Sequence, residues 1–537
     1  MGCSPKLRAS DSTLSASYNI RRIAFVYPVV AVDLRLSFSN YRVLNMLRRS
    51  TIAGVIAVSS LAGCAVGPDF HAPAPPPTSK YTRGQQPEVT SDAPGAAGAA
   101  QTLQLDRDIP ADWYSLFQSQ PLDDLVRRAL HDSPTVVAAK AALRSAEDTY
   151  RAERGALFLP QVDGQLGVTR EKVPGAAFGD PNAPASLFTL YNASVNVTYR
   201  LDIFGGSRRQ LEQLGAQTDF QRWELEATNL TLTGNVVTTA FDVASLTDQV
   251  AAVKDVVAAE TEQFKVVQRQ FEVGAASKSD VLSQQAQLAQ AAAVVPALEK
   301  ALAQAQHRLA VLAGRTPDDA SVPDFALDHF TLPAELPVSV PAKLVRQRPD
   351  VQAAEAQLHQ ATAAVGIATA NLYPQLNLTG SIGSQSITSG GLFGAGSGTW
   401  SVGAALLQPL FHGGELRYKR RAAVAALEQA DANYRQTVLA AMEEVANTLR
   451  ALETDARALR AQVEAEKAAA DAFDISKKQF RVGGVSYVTV LNAQRLFLEA
   501  RQSRVQAQAA RYSDSAALFQ ALGGGWWNRK EQEVASK

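Results

Sequence analysis

From Tyr191 the chain alternates. Tyr191, Ala193, Val195, Val197, Tyr199, Leu201 and Ile203 are apolar, and Asn192, Ser194, Asn196, Thr198, Arg200 and Asp202 between them are polar. Successive side chains of a strand point to opposite faces, so this period of two predicts a strand with one oily and one wet face. Weaker alternation at Val162, Leu166 and Val168, at Leu376, Leu378 and Ile382, and at Trp400, Val402, Ala404 and Leu406 predicts three more strands, hence two hairpins. The segments Val173 to Pro184 and Ser386 to Gly398, rich in Gly, Pro, Ser and Asn, read as their loops. A strand follows Gly394, Gly396 and Gly398 where a phosphate loop needs a helix, so these glycines read as a turn.

Beyond each hairpin the period lengthens. No proline occurs between Pro184 and Pro296, and none follows Pro409. As helices, the stretches from Gly206 to Gly274 and from Gly414 to Gly483 would each run to about 100 Å. Apolar or Ala positions recur every three or four residues, at Leu246, Val250, Val253, Val257 and Phe264, and at Val445, Leu449, Leu452, Ala456, Leu459 and Val463. That spacing predicts long helices packed along a seam. At Gly274 and Gly483 the chain turns back, because glycine tolerates the conformations a tight bend requires. Return legs to Gly314 and Gly523 span about 40 residues, roughly 60 Å as helix. The tips, Val273-Gly274-Ala275 and Val482-Gly483-Gly484-Val485, show small and apolar groups where loops are ordinarily polar, which suits a docking surface.

The plan is written twice. Ser133-Pro134-Thr135-Val136 opens an Ala-rich helix that ends at Leu159-Pro160-Gln161-Val162, and Arg348-Pro349-Asp350-Val351 opens another ending at Tyr373-Pro374-Gln375-Leu376. Phe204-Gly205-Gly206 answers Phe411-His412-Gly413-Gly414, and Phe271-Glu272-Val273-Gly274 answers Phe480-Arg481-Val482-Gly483. The later glycine pairs, 274 with 483 and 314 with 523, share one offset of 209 residues. The chain therefore divides into an upstream extension with a signal (1–63), an extended N-terminal segment (64–118), repeat one (119–330), repeat two (331–525) and a tail (526–537).

Composition narrows the field. Equal numbers of basic and acidic residues, 52 each, offer no general attraction to nucleic acid, and 2 Cys exclude a disulfide framework. Met46 is followed by Arg48 and Arg49, an apolar stretch from Ile52 to Leu61, and Leu61-Ala62-Gly63-Cys64. This order is that of a secretory signal, and its tetrapeptide resembles a bacterial lipobox with Cys64 as the lipid-bearing first mature residue. Residues 1–45 are too long a preamble for such a signal, so translation is expected to start at Met46. Ala65 after the cysteine resembles an outer-membrane address. The proline-rich stretch Pro68 to Pro77 cannot be helix and reads as a leash that holds the anchor clear of the fold.

No mature segment reaches 18 consecutive apolar residues, which excludes a spanning helix. Only a closed β-barrel then remains as a way through lipid, and four strands cannot close one with an open bore, so several chains must contribute. Asn192, Asn196, Arg200 and Asp202 would line its water. The signatures Cys64-Ala65-Val66-Gly67-Pro68-Asp69-Phe70, Trp113-Tyr114 through Pro121-Leu122-Asp123, Leu336-Pro337-Val338 leading to Arg348-Pro349-Asp350-Val351, Leu378-Thr379-Gly380-Ser381 and Ala521-Leu522-Gly523-Gly524-Gly525-Trp526 run through nearly all the mature chain. In these the chain resembles an outer-membrane factor of the TolC/NodT-like efflux family.

The resemblance implies an α+β membrane protein: a homotrimer whose 12-stranded outer-membrane barrel, four strands per chain, is continued by a periplasmic α-helical coiled-coil barrel. It also implies a periplasmic adaptor at the helical tips and an inner-membrane RND-type pump, with outer-membrane lipid around the barrel. In relatives an acidic residue at the place of Asp280 ties neighbouring helices at a closed entrance; as a helix cap Asp280 would be equally well accounted for. Its counterpart Thr489, with Asn492 three residues on, stands where related channels often carry a carboxylate ring. Phe480, like Phe271, takes the place of a tyrosine whose hydroxyl can bond that acid.

Catalytic motifs are missing, and His71, His131, His307, His329, His359 and His412 are scattered. Glu443-Glu444 and Asp123-Asp124, adjacent on helices, point in different directions and read as solvated faces. The expectation is a channel with no enzymatic chemistry, cofactor or metal, passing drugs and toxic solutes. Two rivals remain: a conduit that exports polypeptides in a type I-like system, and a lipid-anchored periplasmic scaffold without a pore. The scaffold leaves the alternation from Tyr191 to Ile203 unused.

Overall fold

The computed structural model describes residues 65–529 apart from 85, 86, 96, 181 and 320. The signal, Met46 and Cys64 lie outside the described residues, as does the end of the tail.

Strands β2 (Gln161–Val173), β3 (Ser186–Leu201), β5 (Gln375–Ser386) and β6 (Gly398–Leu407) form one antiparallel sheet in the order β2-β3-β5-β6. The period-two pattern thus becomes two hairpins paired side by side, with β2 and β6 at open edges. Register makes the faces coherent, because residues directly opposite one another share a face. Val195 stands between Gly164 and Ile382, and Ile382 faces Trp400. On the other face Asn196 stands between Asp163 and Ser381, and Ser381 faces Ser401.

Six helices, three in each repeat, carry the rest of the two repeats. In repeat one α2 (Pro134–Phe158) leads into the sheet, α3 (Gly206–Glu272) leaves it, and α4 (Lys278–Leu312) returns, running on through Pro296. In repeat two the same parts are α6 (Pro349–Ala370), α7 (Glu415–Arg481) and α8 (Tyr487–Ala521). The outgoing helices are both 67 residues long and the returning ones both 35. Short elements tie the repeats together: α1 (Gln120–Asp132), α5 (Pro341–Gln347), and a parallel pair of β1 (Thr102–Leu105) with β4 (Glu335–Val338). Proline opens α2, α5 and α6, where its missing N–H costs nothing.

The main core lies where the helices of both repeats meet the N-terminal segment. Trp113 stacks on Phe519 at 5.4 Å, and Phe241 packs between Phe117 and Phe330, each at 4.9 Å. The Tyr512 hydroxyl donates to the Phe330 carbonyl at 2.8 Å, so its polar end is satisfied inside this apolar cluster. The duplication is repeated in a close approach: Gly314, at φ +72, lies against the Asp132 carbonyl, and Gly523, at φ +96, against the Gln347 carbonyl. A Cβ at these glycines would sit 2.8 and 2.5 Å from those oxygens, so each return helix is followed, two residues past its end, by a position that must be glycine.

Three local features correct the sequence reading. The residues after Cys64 are not a leash clear of the fold. Val66 N–H donates to the Phe204 carbonyl at 3.1 Å, buried Arg209 holds the Val66 carbonyl and pairs with Asp69 at 2.6 Å, and Phe70 stacks on His359 at 4.3 Å. Proline forbids helix there but does not forbid docking. Asp202 does not belong to the strand, which ends at Leu201; its carboxylate accepts from the Ser207 and Arg208 N–H groups at 3.0 Å and caps α3. Glu444 is not merely a solvated carboxylate, since it pairs with Arg348 at 2.6 Å.

Between α7 and α8, Asp514 lies beside Asp455, and burial together with that neighbour pushes its carboxyl up to about 8. A folded-state value raised above the ordinary one favours the fold while the group is protonated, and this contribution is lost as pH rises through the raised value. The melting temperature of the purified protein should therefore fall between about pH 4 and pH 8, and Asp514→Asn should flatten that fall. An unchanged slope in the variant would remove Asp514 as its source.

Candidate functional site

Two surfaces stand out, the sheet and the helical tips. One sheet face carries Val162, Leu166, Val168, Val195, Ile382, Trp400, Val402 and Leu406, all exposed in the single chain, with Leu166 and Val402 each at 81%. An exposed apolar face this extensive marks contact with lipid or another protein. The opposite face is polar: Asn192, Asn196 and Arg200 from β3 stand beside Gln165 and Asp163 of β2 and Asn377, Thr379 and Ser381 of β5. Asn196 donates to Gln165 at 3.4 Å and Ser194 at 3.3 Å, and Ser381 and Ser401 share a hydrogen bond at 2.8 Å. Three of the four residues expected to face water are thus together on the wet face; Asp202 lies past its end.

At the far end of the helices the two turns match. Val273 is 79% exposed and Val482 82%, while Gly274 and Gly483 adopt φ +77 and +76, the left-handed bend that glycine permits. Gly274, Ala275, Gly483 and Gly484 are exposed and Val485 is half-buried. Asp280 forms a capping box with Ser277: the Ser277 N–H donates to its carboxylate at 2.8 Å and the Ser277 hydroxyl at 2.6 Å. That hydroxyl and that N–H hold the Asp280 carboxyl below the usual carboxylate range. In repeat two the Ser486 and Thr489 hydroxyls meet at 3.1 Å, and Thr489 and Asn492 are exposed. The Phe480 ring lies 5.2 Å from that of Tyr487.

The hydrogen bonds across the two helical hairpins here come from residues that sequence reasoning missed. The Tyr487 hydroxyl, at the start of α8, donates to Gln284 of α4, and the Gln284 amide donates to the Glu260 carboxylate of α3. An apolar cluster of Val267, Val281, Val490 and Leu491 with Tyr487 packs beside them. The offset of 209 puts Lys278 at the place of Tyr487, so the tyrosine was visible as a break in the repeat, but its partners were not.

Among the described residues no three His, Cys, Asp or Glu side chains gather as a metal site, and no helix is long and apolar enough to cross a membrane. Residues 125–315 and 340–524, the bulk of both repeats, match the outer membrane efflux protein family. The chain belongs to that family. A pyoverdine export outer membrane protein, OpmQ of Pseudomonas aeruginosa, is 30% identical over 78% of this chain and 88% of its own length. The antibiotic efflux pump outer membrane protein ArpC of Pseudomonas putida is 28% identical over 90% of this chain and 98% of its own length. The outer-membrane channel OprN has the same fold, with a TM-score of 0.77 and 27% identity, covering 86% of this chain and all of its own. As an outer membrane efflux protein the chain is placed in the outer membrane and extends into the periplasm. Its oily sheet face accords with lipid there.

Proposed function

We propose that three copies close their sheets into one barrel of twelve strands, anchored by lipid at Cys64, which passively conducts small molecules across the outer membrane. The helices then continue the barrel into the periplasm. The observation that carries this reading is the sheet: one face mostly oily, the other mostly polar, and both edges unpaired within the chain. Unpaired edges cannot stay open in lipid, and a barrel of about this many strands leaves an aqueous bore. A non-porous scaffold has no use for these two faces. The names of OpmQ and ArpC, one for pyoverdine and one for antibiotics, support a cargo of small molecules chosen by the pump.

The tips are the proposed contact with a periplasmic adaptor, and an inner-membrane RND-type pump supplies the energy. Deleting the gene should raise susceptibility to several unrelated toxic compounds, and photocrosslinkers at Val273 and Val482 should capture an adaptor. Unchanged susceptibility with no capture would overturn the assignment; loss of a secreted polypeptide instead would favour protein export. Thr489 and Asn492 leave the second ring at the entrance neutral, so Asn492→Asp should increase cation over anion permeability in planar bilayers. A strong cation preference already present in the wild type would contradict that role.

A further inference from the structure

We propose that Glu260 is a proton-operated latch between the two helical hairpins near their tips, holding them together when it carries a proton and releasing them when it loses it. Glu260 lies in α3 roughly 20 Å before the turn at Gly274. Its side chain and that of Gln284 are fully buried. Gln284 donates to both the carboxylate and, at 3.3 Å, the backbone carbonyl of Glu260, and its own oxygen receives the Tyr487 hydroxyl. The chain Tyr487, Gln284, Glu260 therefore crosses from the second hairpin to the first and ends on an acid.

That acid is poorly provided for as an ion. Its Oε1 has no hydrogen-bond partner, and among the described residues no Lys, Arg or His pairs with it. The elements around it bring no compensating charge. Gln263 comes from α3, Gln284 and the Asp280 carboxylate from α4, the Tyr487 phenol from α8, and the Phe473 and Phe480 rings from α7. A bare charge buried without a donor costs far more than a neutral carboxyl in the same place. Burial accordingly pushes the Glu260 carboxyl up, while its bond from Gln284 draws it down by less.

The sign follows. Parting the hairpins returns Glu260 to water and to its ordinary range, so packing is strongest in acid and weakens as pH rises through the raised value. The fold itself does not demand this arrangement. At the same places in repeat two stand Ala469 and Ala493, and in repeat one Lys278 answers Tyr487, so the duplication does not repeat the acid and amide of repeat one or the phenol of repeat two.

The latch rests on the conduit reading only in making the tips a mouth; hairpin packing is measurable in a protein that conducts or one that does not. Hydrogen exchange on the purified full chain in lipid nanodiscs, corrected for intrinsic rates, tests it from about pH 5 to about pH 8. Amides of 260–290 and 480–495 should lose protection as pH rises, about tenfold for each unit by which the carboxyl is displaced, while those of 230–245 hold. Glu260→Gln should keep the acid-state protection throughout. Tyr487→Phe should lower protection at pH 5 and still lose more with rising pH. Flat protection in the wild type, a surviving pH response in Glu260→Gln, or full protection in Tyr487→Phe would each overturn the latch.

Discussion

Arginine in place of Leu166 or Val402 should clear the protein from the outer membrane, while Asn196→Arg should leave assembly intact. Leu166 and Val402 are each 81% exposed in the single chain. On a protein surrounded by water, substitutions at such positions stay within about 0.5 kcal/mol. Against lipid, an arginine near the bilayer midplane costs about 2–4 kcal/mol, and a barrel of three chains incurs that cost three times. Asn196 is on the wet face, beside Asp163 and Gln165, where another cation meets water and a carboxylate. The readout is the amount of oligomer in the outer-membrane fraction. Normal levels of Leu166→Arg and Val402→Arg would mean that the oily face does not meet lipid.

Arg348→Ala should produce a large loss of stability in the helical part. Arg348 opens α6 at the junction of the repeats and makes two bonds to Asp350, at 3.0 and 2.7 Å. It also reaches Glu444 of α7 at 2.6 Å and the last carbonyl of α8, Ala521, at 2.8 Å. One planar guanidinium thus joins three helices, and its side chain is only 12% exposed. Removing one partner of a buried ion pair costs about 3–5 kcal/mol because the remaining charges are left in place. Half-exposed Glu444 puts this site at the lower end of that range, and Arg348→Lys, which loses the fork but keeps the charge, should fall between. A thermal melt followed by circular dichroism reads the effect; an unchanged midpoint in Arg348→Ala would show that the junction is held elsewhere.

What was legible in the sequence was what repeats at short range. Alternation over Tyr191 to Leu201 becomes β3, and proline-free stretches bounded by Gly206 and Gly274, or Gly414 and Gly483, become helices ending within two residues of those glycines. The same rule overran at Asp202, because a capping acid after a strand continues the polar beat without being in the strand. Asp280 is likewise one letter with two uses, and its bonds to Ser277 show the capping use. The docking of residues 65–70 was hidden because prolines report only what the backbone cannot do. Glu260, Gln284 and Tyr487 were hidden more deeply: Tyr487 meets Gln284 across 203 positions, and no periodic pattern carries such a contact. The parallel pair of β1 and β4 joins segments still further apart, with only four residues in each strand.

The most direct measurement combines native mass with single-channel recording on the same purified protein in lipid. A barrel shared between copies requires a mass of three chains and stepwise currents that vanish when Leu166→Arg prevents assembly. A particle of one chain that adds no conductance to a planar bilayer would show that these four strands never enclose water.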